Sequence, residues 1–220
     1  MNHIIISEQL KNICPNIVLG CIEARVKVKD SHPELWEKVT QVCRQLINGL
    51  TISEVSQIEN IKKAREVYRK LGNDPTRYRL SSEALVRRIL KEKGLYQVNN
   101  VVDINNLVSI LSFCPVCTYD AEKIHPPITF AIGVPGDTYA GIGRGMINLE
   151  NIPVFSDGLG KFGSTTSDSE RAMVTEETKR ILMCIVSFHG EKGILAYMQE
   201  ARHLLEGYAD GQVMKLNMIR

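Results

Sequence analysis

The chain has 220 residues, of which 44% are hydrophobic and 24% charged, and its formal net charge is +2. Such a composition suits a globular protein with one core of ordinary size and excludes disordered or collagen-like chains. No apolar run approaches a membrane span, the start MNHIIISEQLKN lacks a signal-peptide pattern, and the six cysteines show no disulfide-framework spacing. A cytoplasmic protein with no metal and no cofactor is expected.

In chain order, Val18 to Val28 alternates Ile22, Ala24, Val26 and Val28 with Glu23, Arg25 and Lys27, the period of a half-buried strand. Pro33 opens a helix whose stripe of Leu35, Trp36, Val39, Val42, Cys43, Leu46 and Ile47 stops near Gly49. A second helix is predicted over 55–71, with Gly72 as its stop. The segment NDPTRYRLSS has turn chemistry throughout. Ser81 or Ser82 then caps a helix over 83–93 that turns Leu85, Val86, Ile89 and Leu90 inward and Arg87, Arg88 and Lys91 to solvent. Asp103 caps a further helix, leaving Asn99 and Asn100 in the turn ahead of it.

From Ile128 the pattern changes to short apolar runs, ITFAI, YAGIG, MINL and IPVF, separated by turn residues, which read as sheet. The continuous run RILMCIVSF from Arg180 reads as a buried strand, and a helix over 191–206 precedes a short tail. The whole, residues 1–220, is one α+β domain with helices mostly in the first half and a mixed or antiparallel sheet in the second.

Charge is concentrated. Between residues 62 and 93, eleven Lys or Arg stand against four acids, a net of +7, leaving 16 basic and 21 acidic residues elsewhere. Such a patch could hold a phosphate backbone or another acidic partner, with Arg77, Arg79, Arg87, Arg88 and Lys91 as the candidate contacts, although a solvated helix face would carry the same charge. Cys114 and Cys117 have a redox spacing but follow a helix rather than opening one, and read as two unrelated thiols. The run Gly141-Ile142-Gly143-Arg144-Gly145 departs from the phosphate-loop fingerprints and reads as a sheet turn.

The order Pro75, Arg77-Tyr78, a helix from Glu83, Asn99, Val102, Asp103 and Asn106, then Pro115 and Tyr119-Asp120 resembles a known family. It is similar to the editing module formed by the third and fourth (B-three/B-four) domains of the bacterial phenylalanyl-tRNA synthetase beta subunit. Looser resemblance covers 136–141 and 157–179, so the matching core spans about 68–188. The rest of a synthetase is missing, so charging of tRNA is not expected. The resemblance implies binding of tRNA or of an aminoacyl-tRNA end. The alternative is a free-standing deacylase, and a weaker one is a sensor of an amino-acid-like ligand.

The resemblance also implies a pocket lined by a small-residue segment, giving Gly160, Gly163, Ser164 and Thr165 as lining candidates. Asn99 and Asn100 are added as polar ligand contacts, although capping and turn bonding would explain the asparagines equally well. A deacylase needs a positioned water and oxyanion donors, for which Asp137, Asp157 and Asp168 are the carboxylate candidates.

Overall fold

The computed structural model describes residues 3–220. A central sheet carries β2 (Val18–Arg25), β3 (Val116–Asp120), β9 (Arg180–Ser187) and β10 (Gln212–Ile219) in the order β10-β2-β9-β3, antiparallel throughout. A second sheet, ordered β1-β4-β7-β8, comprises β1 (Ile4–Ile6), β4 (Ile128–Ile132), β7 (Pro153–Asp157) and β8 (Gly160–Ser164), with β1 parallel to β4 and the rest antiparallel. A separate hairpin pairs β5 (Thr138–Gly141) with β6 (Gly145–Asn148).

One face of the central sheet packs Leu19, Cys21, Cys117, Tyr119, Leu182 and Cys184 against Phe130, Phe155 and Phe162 of the second sheet. The other face packs Ile22, Ala24, Val116, Ile181, Met183 and Ile185 against helices. These helices include α2 (Pro33–Gly49), α4 (Ser81–Leu90), α5 (Asn100–Ser112) and α6 (Ile194–Tyr208), while α1 (Glu8–Ile13) and α3 (Glu59–Lys70) complete the set. A sheet covered on both faces buries both registers of its strands, which is why β9 reads as an unbroken apolar run. The same reason corrects β2: it is buried along nearly its whole length rather than half-buried. A Cβ at Gly20 would meet Ile194 Cγ2 at 2.8 Å and Met198 Sδ at 2.9 Å, so glycine there admits α6 close to the sheet.

Several boundaries differ from the sequence reading. The helix expected over 55–71 is a 3-10 turn at Glu54–Gln57 followed by α3. Helix α4 begins after Leu80 with no side-chain cap and ends at Leu90, and the hydroxyls of Ser81 and Ser82 find no hydrogen-bond partner among the described residues. Asn99, not Asp103, caps α5: its side chain accepts from Val102 N at 2.9 Å. Helix α6 starts three residues later than expected, after Gly193 at φ 80°. The expected tail is the edge strand β10, whose partly exposed residues carry a weak pattern. The small-residue segment expected to line a pocket is mostly a strand, since Gly160–Ser164 forms β8. Cys114 and Cys117 lie in the helix-side and inter-sheet cores respectively, on opposite faces of the central sheet.

Candidate functional site

Two helices turn one stripe each toward a cavity of about 600 Å³, inside the size range of ligand pockets. On α4 the stripe is Ser81, Ala84, Leu85 and Arg88; on α5 it is Val102, Asn105, Asn106 and Ser109. Spacings of three and four residues place each set on one helical face, while Val86, Ile89, Val101, Ile104 and Val108 on the opposite faces enter the core. Strand β3 adds Val116 and Thr118, and Thr118 Oγ1 donates to Asn105 Oδ1 at 2.8 Å. The end of β8 contributes Ser164, the turn after it Thr166, Ser167 and Asp168, and the tip of the β5–β6 hairpin Ile142 and Arg144.

Asp168 is the carboxylate of this cavity. Its Oδ1 accepts from Tyr119 Oη at 2.9 Å and from Ser164 N at 3.3 Å, and Oδ2 accepts no hydrogen bond from the described residues. Burial pushes its carboxyl up to about 7, against the smaller opposing effect of those two donors. Burial first, and then the neighbouring Asp168 charge, hold the Tyr119 hydroxyl well above its ordinary pKa, so Tyr119 remains the donor. A carboxylate that titrates near neutrality, with one oxygen free beside a cavity, can accept a proton from a bound group or water at physiological pH.

The other two carboxylate candidates are committed elsewhere. Arg171 grips Asp157 with two bonds of 3.1 and 2.9 Å, and His125 N and Leu159 N also donate to it. Burial of Asp157 opposes its charge, but these donors outweigh burial and hold its carboxyl below the usual range. Asp137 pairs with Lys161 at 2.8 Å and accepts from Val134 N, which likewise outweigh its burial and keep its carboxyl low. Neither lines the cavity of Asp168.

Of the pocket candidates, Ser164 lines the cavity. Its Oγ donates to Ser167 O at 2.8 Å and accepts from Ser167 N at 3.1 Å, building the turn that carries Asp168. Gly163 stands behind that wall: a Cβ there would lie 1.9 Å from Tyr119 Oη, so its bareness makes room for the tyrosine rather than for a ligand. Thr165 is buried, and its hydroxyl bonds Tyr68 Oη at 2.6 Å. Gly160 borders a different depression with Asp137 and Lys161. Asn100 is fully buried, donating to Lys27 O at 3.0 Å and Tyr208 O at 2.9 Å and accepting from Lys29 N, so it ties the end of β2 to α5 and α6. With Asn99 used as a cap, the asparagines at the cavity are the adjacent Asn105 and Asn106, about two turns further along α5.

The basic patch divides in a way that charge counting missed. Glu83 is fully buried and accepts from Arg65 at 2.9 Å and Arg87 at 2.7 Å, with Arg79 at 3.8 Å. Arg87, expected in solvent, instead has only 18% of its side chain exposed and also donates to Ile52 O. The buried carboxylate draws the arginines inward because a lone charge in the core is far costlier than a paired one. Arg77, over the Tyr78 ring, and Lys91 are exposed. Arg88 lines the cavity, donates to Gly94 O at 2.7 Å and Lys93 O at 3.3 Å, and lies 4.0 Å over the Tyr96 ring. Arg144 was overlooked by the sequence reading, although a lone cation between two glycines on an apolar hairpin was the available signal.

An α+β domain with a sheet covered on both faces and a cavity between two helices and a hairpin is the class that fold and site define. The profile of the B3/4 domain family matches residues 63–210, more than half of the chain. The chain belongs to the B3/4 domain family. It is 24% identical over 131 residues to the uncharacterized protein YhzB of Bacillus subtilis (strain 168), across 60% of this chain and 56% of that protein. An N-terminal fragment of the phenylalanyl-tRNA synthetase beta subunit from Pyrococcus horikoshii matches over 96% of this chain and 50% of that one, with 15% identity and a TM-score of 0.49. The chain thus spans about half the length of each. Among the described residues, no helix is long and apolar enough to cross a membrane.

Proposed function

We propose that the cavity receives the 3′ end of a tRNA carrying an aminoacyl group, and that the protein binds this end without charging it. The observation that supports the reading is the joint presence, in one cavity, of an apolar wall, a carboxylate titrating near neutrality and arginines at the mouth. Leu85, Val102, Val116 and Val174 suit a side chain, Asp168 suits an α-ammonium group, and the arginines suit phosphate. Membership of the B3/4 family makes a tRNA-related ligand the chemistry to test first.

Binding of aminoacyl-tRNA and of the same uncharged tRNA, measured by fluorescence anisotropy, tests this reading. Ala84 is exposed on α4 and faces the cavity, so Ala84→Trp fills it at little cost to folding. The wild type is expected to prefer the charged tRNA about tenfold, the ratio that 1.4 kcal/mol of extra contact gives. Ala84→Trp should remove the preference and keep the uncharged affinity. Equal affinities in the wild type would sink the proposal.

The open Oδ2 of Asp168 and its pKa near 7 favour a second reading, in which the same site hydrolyses the ester. Asp168 would take a proton from water as the water attacks the carbonyl, and would pass it to the ribose oxygen as the acyl C–O bond breaks. Loss of the aminoacyl group should then speed up as pH rises through 7 and vanish in Asp168→Asn with binding retained. Stable aminoacyl-tRNA across a panel of mischarged species would leave binding alone.

A further inference from the structure

We propose that Arg88 and Arg144 are the two jaws of a clamp for the phosphodiester next to the terminal nucleoside, which places RNA recognition at the cavity mouth rather than across the whole basic segment. The inference rests on the reading of the cavity given above. Arg88 and Arg144 both line the same cavity, and neither has an ion-pair partner among the described residues. That separates them from Arg65, Arg79 and Arg87, which the buried Glu83 already engages.

The two jaws differ in mobility for reasons visible in their bonds. Arg88 is held by Nε to Gly94 O and by Nη2 to Lys93 O, with its Cζ 4.0 Å from the centroid of the Tyr96 ring, so its Nη1 edge is presented in a fixed orientation. Fixing an arginine before binding reduces the entropy lost when it meets an anion. Arg144 sits exposed at the hairpin tip between Gly143 at φ 66° and Gly145 at φ 68°, conformations that favour glycine and leave the backbone bare.

The tip is not free to wander. Arg144 N donates to Gly141 O at 3.0 Å, and Ile142 N donates to Asp168 O at 3.1 Å. The second bond ties the tip to the residue that carries the cavity carboxylate, so the outer jaw and the cavity floor share one register.

An anion is the fitting occupant because Asp168 is the sole carboxylate among the described cavity-lining residues, and near neutral pH it is partly protonated. It cannot neutralise two arginines. Phosphate oxygens match the planar donors of guanidinium in pairs. Tyr96, 69% exposed, and Ile142, 46% exposed, flank the jaws with the flat or apolar surface against which an unstacked base packs.

The test compares two ligands on the intact chain: an RNA minihelix ending in an aminoacyl amide, and the terminal nucleoside aminoacyl amide with no phosphate. Affinities are taken across a salt series for the wild type, Arg144→Ala and Arg144→Lys. For RNA, Arg144→Ala should lower affinity about tenfold and make the salt slope shallower by about one, while Arg144→Lys recovers part of both. Nucleoside affinity should stay unchanged in all three. Wild-type RNA binding with an unaltered slope in Arg144→Ala would overturn the clamp and leave the cavity reading standing. Equal loss of both ligands in Arg144→Ala, or wild-type binding of nucleoside but not RNA, would overturn it as well. Failure of the wild type to bind either ligand would overturn the cavity reading and the clamp together.

Discussion

Two carboxylates, Glu83 on α4 and Asp168 in the turn after β8, have opposite fates. Glu83 is surrounded by arginines, two of them within 2.9 Å, and its charge is spent inside the protein. Asp168 has no cation partner among the described residues; a tyrosine hydroxyl and one backbone N–H hold a single oxygen, and the other is left beside a cavity. A carboxylate whose charge is matched on all sides joins structure together, whereas one whose charge is disfavoured and whose second oxygen is open is available to a ligand. Burial of an acid therefore says little about function until its partners are counted.

The largest expected effect comes from breaking the matched site. Glu83→Gln leaves Arg65 and Arg87 with buried charge and no counterion, which costs about 3–5 kcal/mol. Urea denaturation should show this as a large fall in midpoint at unchanged slope. A loss below about 1 kcal/mol would mean that the arginines relax into water, and the contrast with Asp168 would lose its basis.

The unmatched site should reveal itself through pH. Asp168 titrates near 7 when folded, against about 3.9 in an unfolded chain. Between those values the folded state holds the extra proton, so stability falls as pH rises from about 4 to about 7 and then levels. Full linkage caps the loss at about 4 kcal/mol; with water reaching the cavity, about half of that is expected. Asp168→Asn should flatten this limb and leave the variant more stable than the wild type at pH 8. A wild-type slope in the variant would assign the titration to another group.

The smallest effect separates capping from ligand binding. Asn99→Ala removes the bond to Val102 N and should cost about 1 kcal/mol of stability. RNA affinity per folded molecule should not change. A selective loss of affinity would return Asn99 to the site.

Much of the fold was legible because it depends on local pattern. The apolar stripes of α2 and α5, the unbroken run of β9 and the turn at Gly141–Gly145 follow directly from periodicity and turn chemistry. Strand β8 was hidden by its glycines, and β10 by an edge position that asks for little apolar content. Of the residues that line the cavity, Asp168, Ser164 and Arg88 were named in the sequence reading, while Gly163, Thr165 and Asn100 lie outside its lining in close packing or hydrogen bonds.

The sequence by itself determined the class of domain, most of its helices, the family resemblance and the place where basic residues concentrate, because each is written in neighbouring residues. Only the tertiary structure decided which charges are available. Whether Arg87 meets solvent or Glu83, and whether Asp168 or Asp157 finds a cation, depends on residues 4 to 49 positions away in the chain and on the dielectric that packing creates around them. Coulomb interactions and desolvation act through space, and a one-dimensional pattern carries no record of those distances.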